Sequence, residues 1–311
     1  CRLVLGESRE TLGRDCQLVR PTTLNAVPFL YQKIADRIRE KGDDAATEAN
    51  NVRAYFGGRI ETLCCGGAPL APDVEHWFAD RGLPILLGYG LTESSPVISM
   101  STAAAHRFGT VGRSIPNIEV RIADDGEVLT RGEHVMLGYW QEAAATSDAI
   151  RDGWLHTGDY GQFDSDNFLI INGRKKELIV LSTGKKVHPT RVESLLTASP
   201  LVEQAVVFGE GRPFLVALIV PSAACGDSPH AAIAAEITRC LQHAAHEEQV
   251  RQFLVLDRPL SIDRGELTPK LSLCRGVITE NFRQQIVELY ASLPTGKSHA
   301  GATSAARTSE L

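Results

Sequence analysis

The sequence predicts an α/β fold in three successive parts. A strand–helix–strand pattern over residues 60–87 indicates a βαβ unit with a parallel sheet. Short alternating strands separated by Gly and Asp turns over residues 109–171 indicate a small antiparallel β subdomain. After residue 172, strands and amphipathic helices alternate as in a compact α+β domain. We therefore expect residues 1–108 to be the C-terminal part of a parallel-sheet α/β subdomain, 109–173 the antiparallel β subdomain, 174–290 the α+β domain and 291–311 a disordered tail with little apolar content.

Hydrophobic spacing predicts the elements of the first part. We expect a helix leading into a buried strand within residues 10–28, a helix over 26–39 and an exposed connection or a helix end over 40–51. Residues 60–65 and 84–87 are typical of short buried strands. The intervening helix, residues 73–81, has Val74, Trp77 and Phe78 on one face, and Gly82 follows its end as a C′ glycine should.

The later parts are predicted in the same way. Strands over 118–122 and 127–130 flank the turn signal Asp124-Asp125-Gly126. A helix over 191–196 has a capping-box pattern in Thr190 and Glu193. The remaining predicted elements are strands 202–208, 214–220 and 253–256 and helices 231–246 and 277–290.

Composition narrows the class of protein. With 311 residues, of which 43% are hydrophobic, the chain can form more than one compact domain. A net charge of −6 without a large basic block disfavours a nucleic-acid partner. The seven cysteines are odd in number and form no C-x-x-C pair, which disfavours a disulfide framework or a zinc site and favours a reducing cytoplasm. No apolar run reaches the ~20 residues of a membrane span, and no signal peptide is visible.

The segment Tyr89-Gly90-Leu91-Thr92-Glu93 is the strongest chemical signal in the chain. It follows an apolar strand, and ligands of open α/β sheets bind at the carboxyl ends of the strands. An aromatic ring can stack on a base, a glycine allows close backbone approach, a hydroxyl can donate to phosphate, and a carboxylate can hold Mg²⁺. Taken alone, the segment could also be an ordinary strand-to-turn junction.

Other motifs accompany it in a fixed order. Gly66-Gly67-Ala68-Pro69 lies upstream, and the segments 152–159, 173–179 and 182–189 lie downstream. In this order the motifs resemble those of the adenylate-forming enzymes and, among them, the AMP-forming long-chain acyl-CoA synthetases. The resemblance covers residues 22–290 and identifies the first part as the AMP-binding subdomain. It also implies that the α+β domain is mobile.

The resemblance implies an adenine site built from two turns. The positions expected to contact the base are Gly66, Gly67, Ala68, Pro69, Gly88, Tyr89 and Gly90. Small residues let a base lie flat against the backbone, and Tyr89 would stack on the ring. The alternatives are a strand-to-helix turn with glycine at positive φ and a tyrosine of the core.

Polar positions complete the nucleotide site that the resemblance implies. Thr92 would bind the α-phosphate and Glu93 the Mg²⁺, whereas a surface salt bridge is the alternative for Glu93. Asp159 would accept hydrogen bonds from both ribose hydroxyls, and Arg174 would add a ribose or phosphate contact. A turn aspartate and a surface arginine are the corresponding alternatives.

Two further positions concern the second half-reaction of the family. Lys176 lies where the family has the hinge between two orientations of the C-terminal domain. Gly184, in Ser182-Thr183-Gly184-Lys185-Lys186, would let the backbone line the path of the CoA pantetheine. A solvated basic turn is the alternative for Lys176.

The catalytic lysine is where the chain departs from the family pattern. The resemblance places a lysine at Ser272, and the nearest lysine is Lys270. Residues two apart in an extended strand face the same way, so Lys270 could reach the same space. We therefore expect Lys270, Thr92 and Glu93 to act in catalysis. The alternative is a solvated Lys270 and impaired adenylation.

The implied function is ATP-dependent activation of a long-chain fatty acid to acyl-AMP and then to acyl-CoA. ATP or AMP, Mg²⁺ and CoA are the implied cofactors, and fatty acid and CoA the implied partners. The sequence leaves contact with a membrane surface and the oligomeric state open. The family's phosphate loop is expected upstream of this chain, so we expect the chain to bind adenosine weakly and not to catalyse adenylation. The alternatives are a fatty acyl-AMP ligase that feeds a carrier protein and a non-catalytic interaction protein that retains the fold.

Overall fold

A computed structural model describes residues 2–8, 11–226, 229–268 and 271–291. Its first sheet has five strands in sequential order: β1 (Thr23–Ala26), β2 (Thr62–Cys65), β3 (Ile85–Tyr89), β4 (Ser99–Met100) and β5 (Arg113–Ser114). Four helices accompany it: α1 (Leu12–Val19), α2 (Pro28–Arg39), α3 (Ala45–Tyr55) and α4 (Pro72–Asp80). A short 3₁₀ helix, Thr92–Ser94, follows β3.

The first sheet confirms the predicted βαβ unit. Strands β1, β2 and β3 are parallel, whereas β4 and β5 are antiparallel to their neighbours. The core between this sheet and its helices contains side chains with no solvent exposure, among them Tyr31, Phe56, Phe78, Leu63 and Ile85. Because β2 and β3 are parallel, their carboxyl ends meet at one edge of the sheet, where the predicted adenine turns begin.

Two expectations for this part are wrong. The stretch over residues 40–51, expected to be an exposed connection or a helix end, is largely a separate helix, α3, which Asp44 caps by accepting a hydrogen bond from the Thr47 N–H at 2.8 Å. The helix buries Val52 completely. Strand β1, expected to be buried, is alternately exposed and half-buried, because only the face with Leu24 and Ala26 packs against the core.

The second sheet is antiparallel, as predicted. Its path is β10–β9–β7–β6, and β8 adds to β9. The elements are β6 (Glu119–Ile122), β7 (Glu127–Arg131), α5 (Ala143–Ala149), β8 (Ile150–Arg151), β9 (Trp154–Phe163) and β10 (Leu169–Arg174). Because β5 belongs to the first sheet, that sheet continues past residue 108, where the sequence suggested a division. The division into domains stays a prediction.

The third part contains a two-stranded ribbon and a three-stranded sheet in the order β13–β14–β15. Strands β13 and β14 form the predicted hairpin, and β15 is parallel to β14. The strands are β11 (Ile179–Val180), β12 (Lys186–Val187), β13 (Val202–Phe208), β14 (Leu215–Pro221) and β15 (Val250–Val255). The helices are α6 (Pro189–Thr197), α7 (Pro229–Cys240), α8 (Arg275–Asn281) and α9 (Arg283–Ala291), with 3₁₀ turns at Lys175–Glu177, Ala223–Cys225 and His246–Glu248.

Both faces of the three-stranded sheet are covered by helices. Along β14, residues 215, 217 and 219 join the core that contains α6 and α7. Residues 216, 218 and 220 join the core that contains α8 and α9. Successive strand residues face opposite sides. The continuous apolar run of β14 therefore reflects burial on both faces.

Three details differ from the sequence prediction. Helix α6 begins at Pro189 with His188 at its N-cap, so the Thr190–Glu193 capping box is wrong. The predicted helix over 277–290 is two helices, because Phe282 leaves helical geometry (φ −117°, ψ 19°) while its ring stays buried beneath Arg258. Helix α7 ends at Cys240, short of the predicted residue 246. Of the tail predicted over 291–311, Ala291 belongs to helix α9, and the other residues lie outside the described ones.

None of the helices formed by the described residues has the length and apolar character needed to span a bilayer. The six cysteines that the structure describes are free thiols.

Candidate active site

Tyr89 and Asp159 meet where the first and second sheets adjoin. Tyr89 ends β3, and Asp159 lies in β9, 70 residues further along the chain. The Tyr89 hydroxyl donates to Oδ2 of Asp159 at 2.8 Å. Arg174 Nε lies 3.2 Å from Oδ1 of the same carboxylate. The structure therefore brings together three of the residues that the sequence selected for the nucleotide.

Burial sets the electrostatics of this cluster. Asp159 is only 3% exposed, and its burial raises the pKa of the carboxyl against the opposing effect of Arg174 and of the Tyr89 hydroxyl. Burial, together with the charge of Asp159, also raises the pKa of Tyr89. The phenol therefore stays protonated at neutral pH and acts as a donor to the carboxylate.

Local bonds hold Asp159 in place. The Asp159 N–H donates to Oγ1 of Thr157 at 3.1 Å, and that hydroxyl donates to the Val128 carbonyl at 2.7 Å. The Thr157 side chain thereby links the backbone of Asp159 in β9 to that of Val128 in β7. Nothing in the sequence pattern indicates this role of Thr157.

The turn Gly66–Pro69 lies directly beside Gly88. A Cβ on Gly66 would lie 3.1 Å from the Gly88 carbonyl oxygen, which is tighter than an ordinary contact. Gly67 has a φ of +85°, a conformation that glycine adopts at little cost. Gly67, Ala68 and Pro69 are exposed. Backbone groups of the two predicted adenine turns therefore lie next to each other at the sheet edge.

Gly90 is required by the protein's own backbone. A Cβ on Gly90 would lie 2.0 Å from the carbonyl oxygen of Pro96, because the chain folds back against it after the 3₁₀ turn. The Ile98 N–H then donates to the Tyr89 carbonyl at 2.7 Å. The close approach expected at Gly90 thus involves residues 96–97 of the chain itself.

Thr92 and Glu93 lie in the 3₁₀ turn that follows β3. Thr92 is exposed, and Glu93 is half-buried. Tyr139 donates its hydroxyl to Oε1 of Glu93 at 2.8 Å, and the Met136 N–H donates to the Glu93 carbonyl at 2.8 Å. Tyr139 is not among the site residues that the sequence predicts. An aromatic hydroxyl in an exposed loop has no recognisable partner until the fold is known.

The chemistry of this site suits Mg²⁺ bound together with a phosphate. Oε2 of Glu93 has no protein hydrogen-bond partner among the described residues. Mg²⁺ commonly binds through one or two carboxylates together with substrate phosphates and water. Within the described ranges, no cluster of three His, Cys, Asp or Glu side chains is placed to hold a metal without such a ligand.

Lys176 lies between two ionic anchors. Lys175 Nζ contacts Asp125 Oδ2, in the turn between β6 and β7, at 2.5 Å and the buried Glu127, in β7, at 3.0 Å. Glu177 lies 3.4 Å from Arg275 Nε in the third part. Lys176 itself is exposed and has no ion pair among the described residues. The predicted hinge residue thus lies between Lys175, whose side chain contacts the second part, and Glu177, whose side chain contacts Arg275 in the third part.

Gly184 occupies the exposed turn of the β11–β12 ribbon. Its φ is +80°, a Cβ there would contact nothing within 4 Å, and its N–H donates to the Leu181 carbonyl at 2.8 Å. Lys185 lies 3.8 Å from Glu247. The contacts of this turn are therefore within the third part, and its link to CoA stays a prediction.

Lys270 lies outside the described residues. On either side of it, the Leu271 N–H donates to the Thr268 carbonyl at 2.8 Å, and the Thr268 N–H donates to the Ser272 carbonyl at 2.9 Å. Leu267 and Leu273 form an isolated antiparallel bridge. These bonds fold the described flanks back on themselves. The role expected for Lys270 therefore stays a prediction.

Comparisons with known proteins show the family of the chain. A family model described as AMP-binding enzyme matches residues 2–140, and one described as AMP-binding enzyme C-terminal domain matches residues 176–294. The long-chain-fatty-acid–CoA ligase FadD15 of Mycobacterium bovis is 40% identical over 260 residues, which cover 77% of this chain and 43% of that protein. The putative fatty-acid–CoA ligase fadD11 of Mycobacterium tuberculosis is 35% identical over 273 residues, which cover 81% and 48%.

Solved structures share the fold. The adenylation domain of a carboxylate reductase from Mycobacterium chelonae has a TM-score of 0.77 and 26% identity, over 93% of this chain and 50% of that one. An AMP complex of the A-PCP didomain of a carboxylic acid reductase from Segniliparus rugosus has a TM-score of 0.76 over 93% and 44%. This chain spans about half the length of the curated relatives that it matches. The two family models together account for most of the chain, which belongs to the AMP-binding, or adenylate-forming, enzyme family.

Proposed function

We propose that this chain binds AMP at the Tyr89–Asp159 cluster and contributes that site to an enzyme that activates long-chain fatty acids. In the first step, the fatty carboxylate would attack the α-phosphorus of ATP, forming acyl-AMP and releasing pyrophosphate. In the second step, the CoA thiol would attack the acyl carbon, the thioester would form and AMP would leave. The relatives named as long-chain-fatty-acid–CoA ligases support this substrate class.

The contact between Tyr89 and Asp159 is the observation that carries the proposal. Adenine would stack on the Tyr89 ring, beside the backbone of Gly66 and Gly88, and stacking of this kind contributes about 1–3 kcal/mol. Asp159 would accept from the ribose hydroxyls. Each carboxylate oxygen has two lone pairs, and Tyr89 and Arg174 each occupy one oxygen, so both oxygens retain acceptor capacity.

Glu93 and Thr92 would serve the phosphate end. Glu93 would hold Mg²⁺, which, when bound, neutralises phosphate charge as the α-phosphorus is attacked. The exposed Thr92 hydroxyl would donate to an α-phosphate oxygen. Stabilising charge and positioning the reactants are the dominant contributions that a protein makes to phosphoryl-type transfer.

The remaining assignments concern the third part of the chain. Lys270 would steady the attacking carboxylate during adenylation. Lys176 would allow the third part to reorient, and the turn at Gly184 would then line the path of the CoA pantetheine. The two ionic anchors on either side of Lys176 support its assignment.

Calorimetric titration of the 311-residue chain tests the nucleotide site. Wild type and Asp159→Asn are each titrated with AMP and with 2′,3′-dideoxy-AMP. A hydrogen bond to a charged group contributes about 1.5–3 kcal/mol. We therefore expect AMP to bind at least about tenfold more tightly than the dideoxy analogue to wild type. Asp159→Asn should abolish that preference, and Asp166→Asn, at an exposed ion pair elsewhere, should leave it intact. Equal affinity of the wild type for both ligands would contradict the proposal.

Activity assays separate the alternative functions. ATP–pyrophosphate exchange by the same chain, which we expect to be absent, measures whether it adenylates unaided. In a complete protein, thioester formation with CoA rather than with a holo-carrier protein would support the ligase. Loss of activity in Lys270→Ala would support its catalytic role, and unchanged activity would exclude it.

A further inference from the structure

We propose that Tyr139 is a positioning residue that holds the Glu93 carboxylate ready for a divalent cation. The inference deepens the proposed function and rests on it, because the cation would accompany the nucleotide phosphate. Tyr139 lies in the loop between β7 and α5, far from Glu93 in sequence. The assignment comes from the contacts that this loop makes.

The loop between β7 and α5 donates two hydrogen bonds to Glu93. The Met136 N–H donates to the main-chain carbonyl of Glu93 at 2.8 Å, and the Tyr139 hydroxyl donates to its side-chain Oε1 at 2.8 Å. The first bond fixes the backbone of the 3₁₀ turn, and the second fixes the rotamer of the carboxylate. A half-buried glutamate that is free at both points would sample several rotamers, and ordering it would cost free energy when the cation binds.

Tyr139 is itself held by polar bonds. Its N–H donates to Oγ1 of Thr146 at 2.9 Å, and that hydroxyl donates to the Glu142 carbonyl at 2.9 Å. A Cβ on Gly138 would lie 2.8 Å from the Thr146 side chain, so a glycine there permits the approach. A chain of hydrogen bonds therefore connects helix α5 to Tyr139 and Tyr139 to Glu93.

Hydrophobic packing does not explain the position of this tyrosine. Tyr139 is 39% exposed, and its neighbours Leu137 and Trp140 are almost fully exposed, at 104% and 87%. The Tyr139 hydroxyl points at Oε1 of Glu93 at 2.8 Å, and because a carboxylate oxygen can only accept, the phenol is the donor. A neutral donor orients the carboxylate without neutralising its charge. Oε2, which has no protein partner in the described ranges, stays available to a cation.

Manganese binding measures this role directly. The electron paramagnetic resonance signal of free Mn²⁺ is titrated with the 311-residue chain in the presence of saturating AMP, for wild type and Tyr139→Phe. Removing a partner that orients a metal ligand typically weakens metal affinity 10–100-fold, and we expect about tenfold here. Thr146→Val should weaken Mn²⁺ binding in the same direction by a smaller factor. Affinity for adenosine, which has no phosphate, should not change in either variant.

Tyr290→Phe is the matched control. Its hydroxyl donates to the carbonyls of Phe208 and Phe214 at 3.1 and 3.3 Å in the third part, so its loss should leave the Mn²⁺ affinity unchanged. Unchanged or tighter Mn²⁺ binding in Tyr139→Phe overturns the inference and leaves the nucleotide site intact. An equal loss of Mn²⁺ and adenosine affinity also overturns it, because it would indicate general damage to the site. If wild type takes up neither adenosine nor Mn²⁺ with AMP, the proposed function itself fails and the inference fails with it.

Discussion

Acid titration of Glu266 gives the sharpest test of how the third part is held together. Glu266 is fully buried, and Arg258 donates to both of its oxygens at 2.8 and 2.9 Å. Asn281 and the Ser261 N–H add bonds at 3.1 and 3.2 Å. The Glu266 carbonyl also accepts from the Cys274 N–H, next to the start of helix α8. We predict that protonating Glu266, or replacing it with glutamine, destabilises this part of the fold.

The pKa of the Glu266 carboxyl gives the size of this contribution to folding free energy and the direction of its pH dependence. The hydrogen bonds from Arg258 are the main cause that lowers the pKa of Glu266 to about 2, from an ordinary value of ~4.3. A shift of this size corresponds to about 3 kcal/mol of folding free energy at neutral pH. Because Arg258 keeps 29% exposure, screening by water should reduce the measured effect to about 2 kcal/mol. The folded-state pKa is the lower one, so this stabilisation is complete above about pH 5 and is lost as the pH falls towards 2.

Urea unfolding followed by circular dichroism at pH 7 and at pH 3 measures the effect. Glu266→Gln should be less stable than wild type by about 2 kcal/mol at pH 7, and about half of that gap should disappear at pH 3. Glu280→Gln is the control, since Glu280 pairs with Arg283 at the surface, with both side chains about two-thirds exposed. It should show no gap at either pH. A gap for Glu266→Gln that is the same at pH 7 and pH 3 would refute the reasoning.

Three further predictions concern single side chains. Gly90→Ala should cost about 1–3 kcal/mol of unfolding free energy, measured by thermal unfolding, because the added methyl would lie 2.0 Å from the Pro96 carbonyl oxygen; an unchanged melting temperature would contradict this. Tyr89→Ala should weaken AMP binding by about 1–3 kcal/mol in calorimetry, whereas Tyr89→Phe keeps the ring and should lose less; equal losses would exclude stacking. Arg275→Met should lower the free energy of unfolding, measured in urea, by about 3 kcal/mol, because the nearly buried Glu193 carboxylate loses the guanidinium that binds both of its oxygens. Lys175→Met removes a more exposed ion pair and should lower it less.

Strand periodicity and motif order predicted much of the fold. The parallel pair β2 and β3, the antiparallel second sheet and the β13–β14 hairpin are local patterns, and each is present. Helix α3 was predicted only as an exposed connection or a helix end because its sequence is charged and alanine-rich, although Asp44 is a typical N-cap residue. At α6, Pro189 takes the first helical position, for which its fixed φ is suited, and so moves the start away from Thr190.

The candidate site was predictable as a set of positions but not as a set of contacts. Tyr89 could be located because it ends a parallel strand, where ligands bind. Its hydrogen bond to Asp159 joins two sheets and has no local signature. Tyr139 was missed for the same reason, since only the folded chain brings its hydroxyl to Glu93.

The arrangement around Lys176 has a mechanical consequence. With Lys175 tethered to Asp125 and Glu177 tethered to Arg275, a rotation that preserves both tethers would have to occur at the torsion angles of one exposed residue. A rotation confined to the φ and ψ angles of one residue has a defined pivot. A long flexible linker would not provide one. The rings of Tyr160 and His188 are in edge-on contact, with centroids 5.3 Å apart. A rotation of the third part at Lys176 would break this contact.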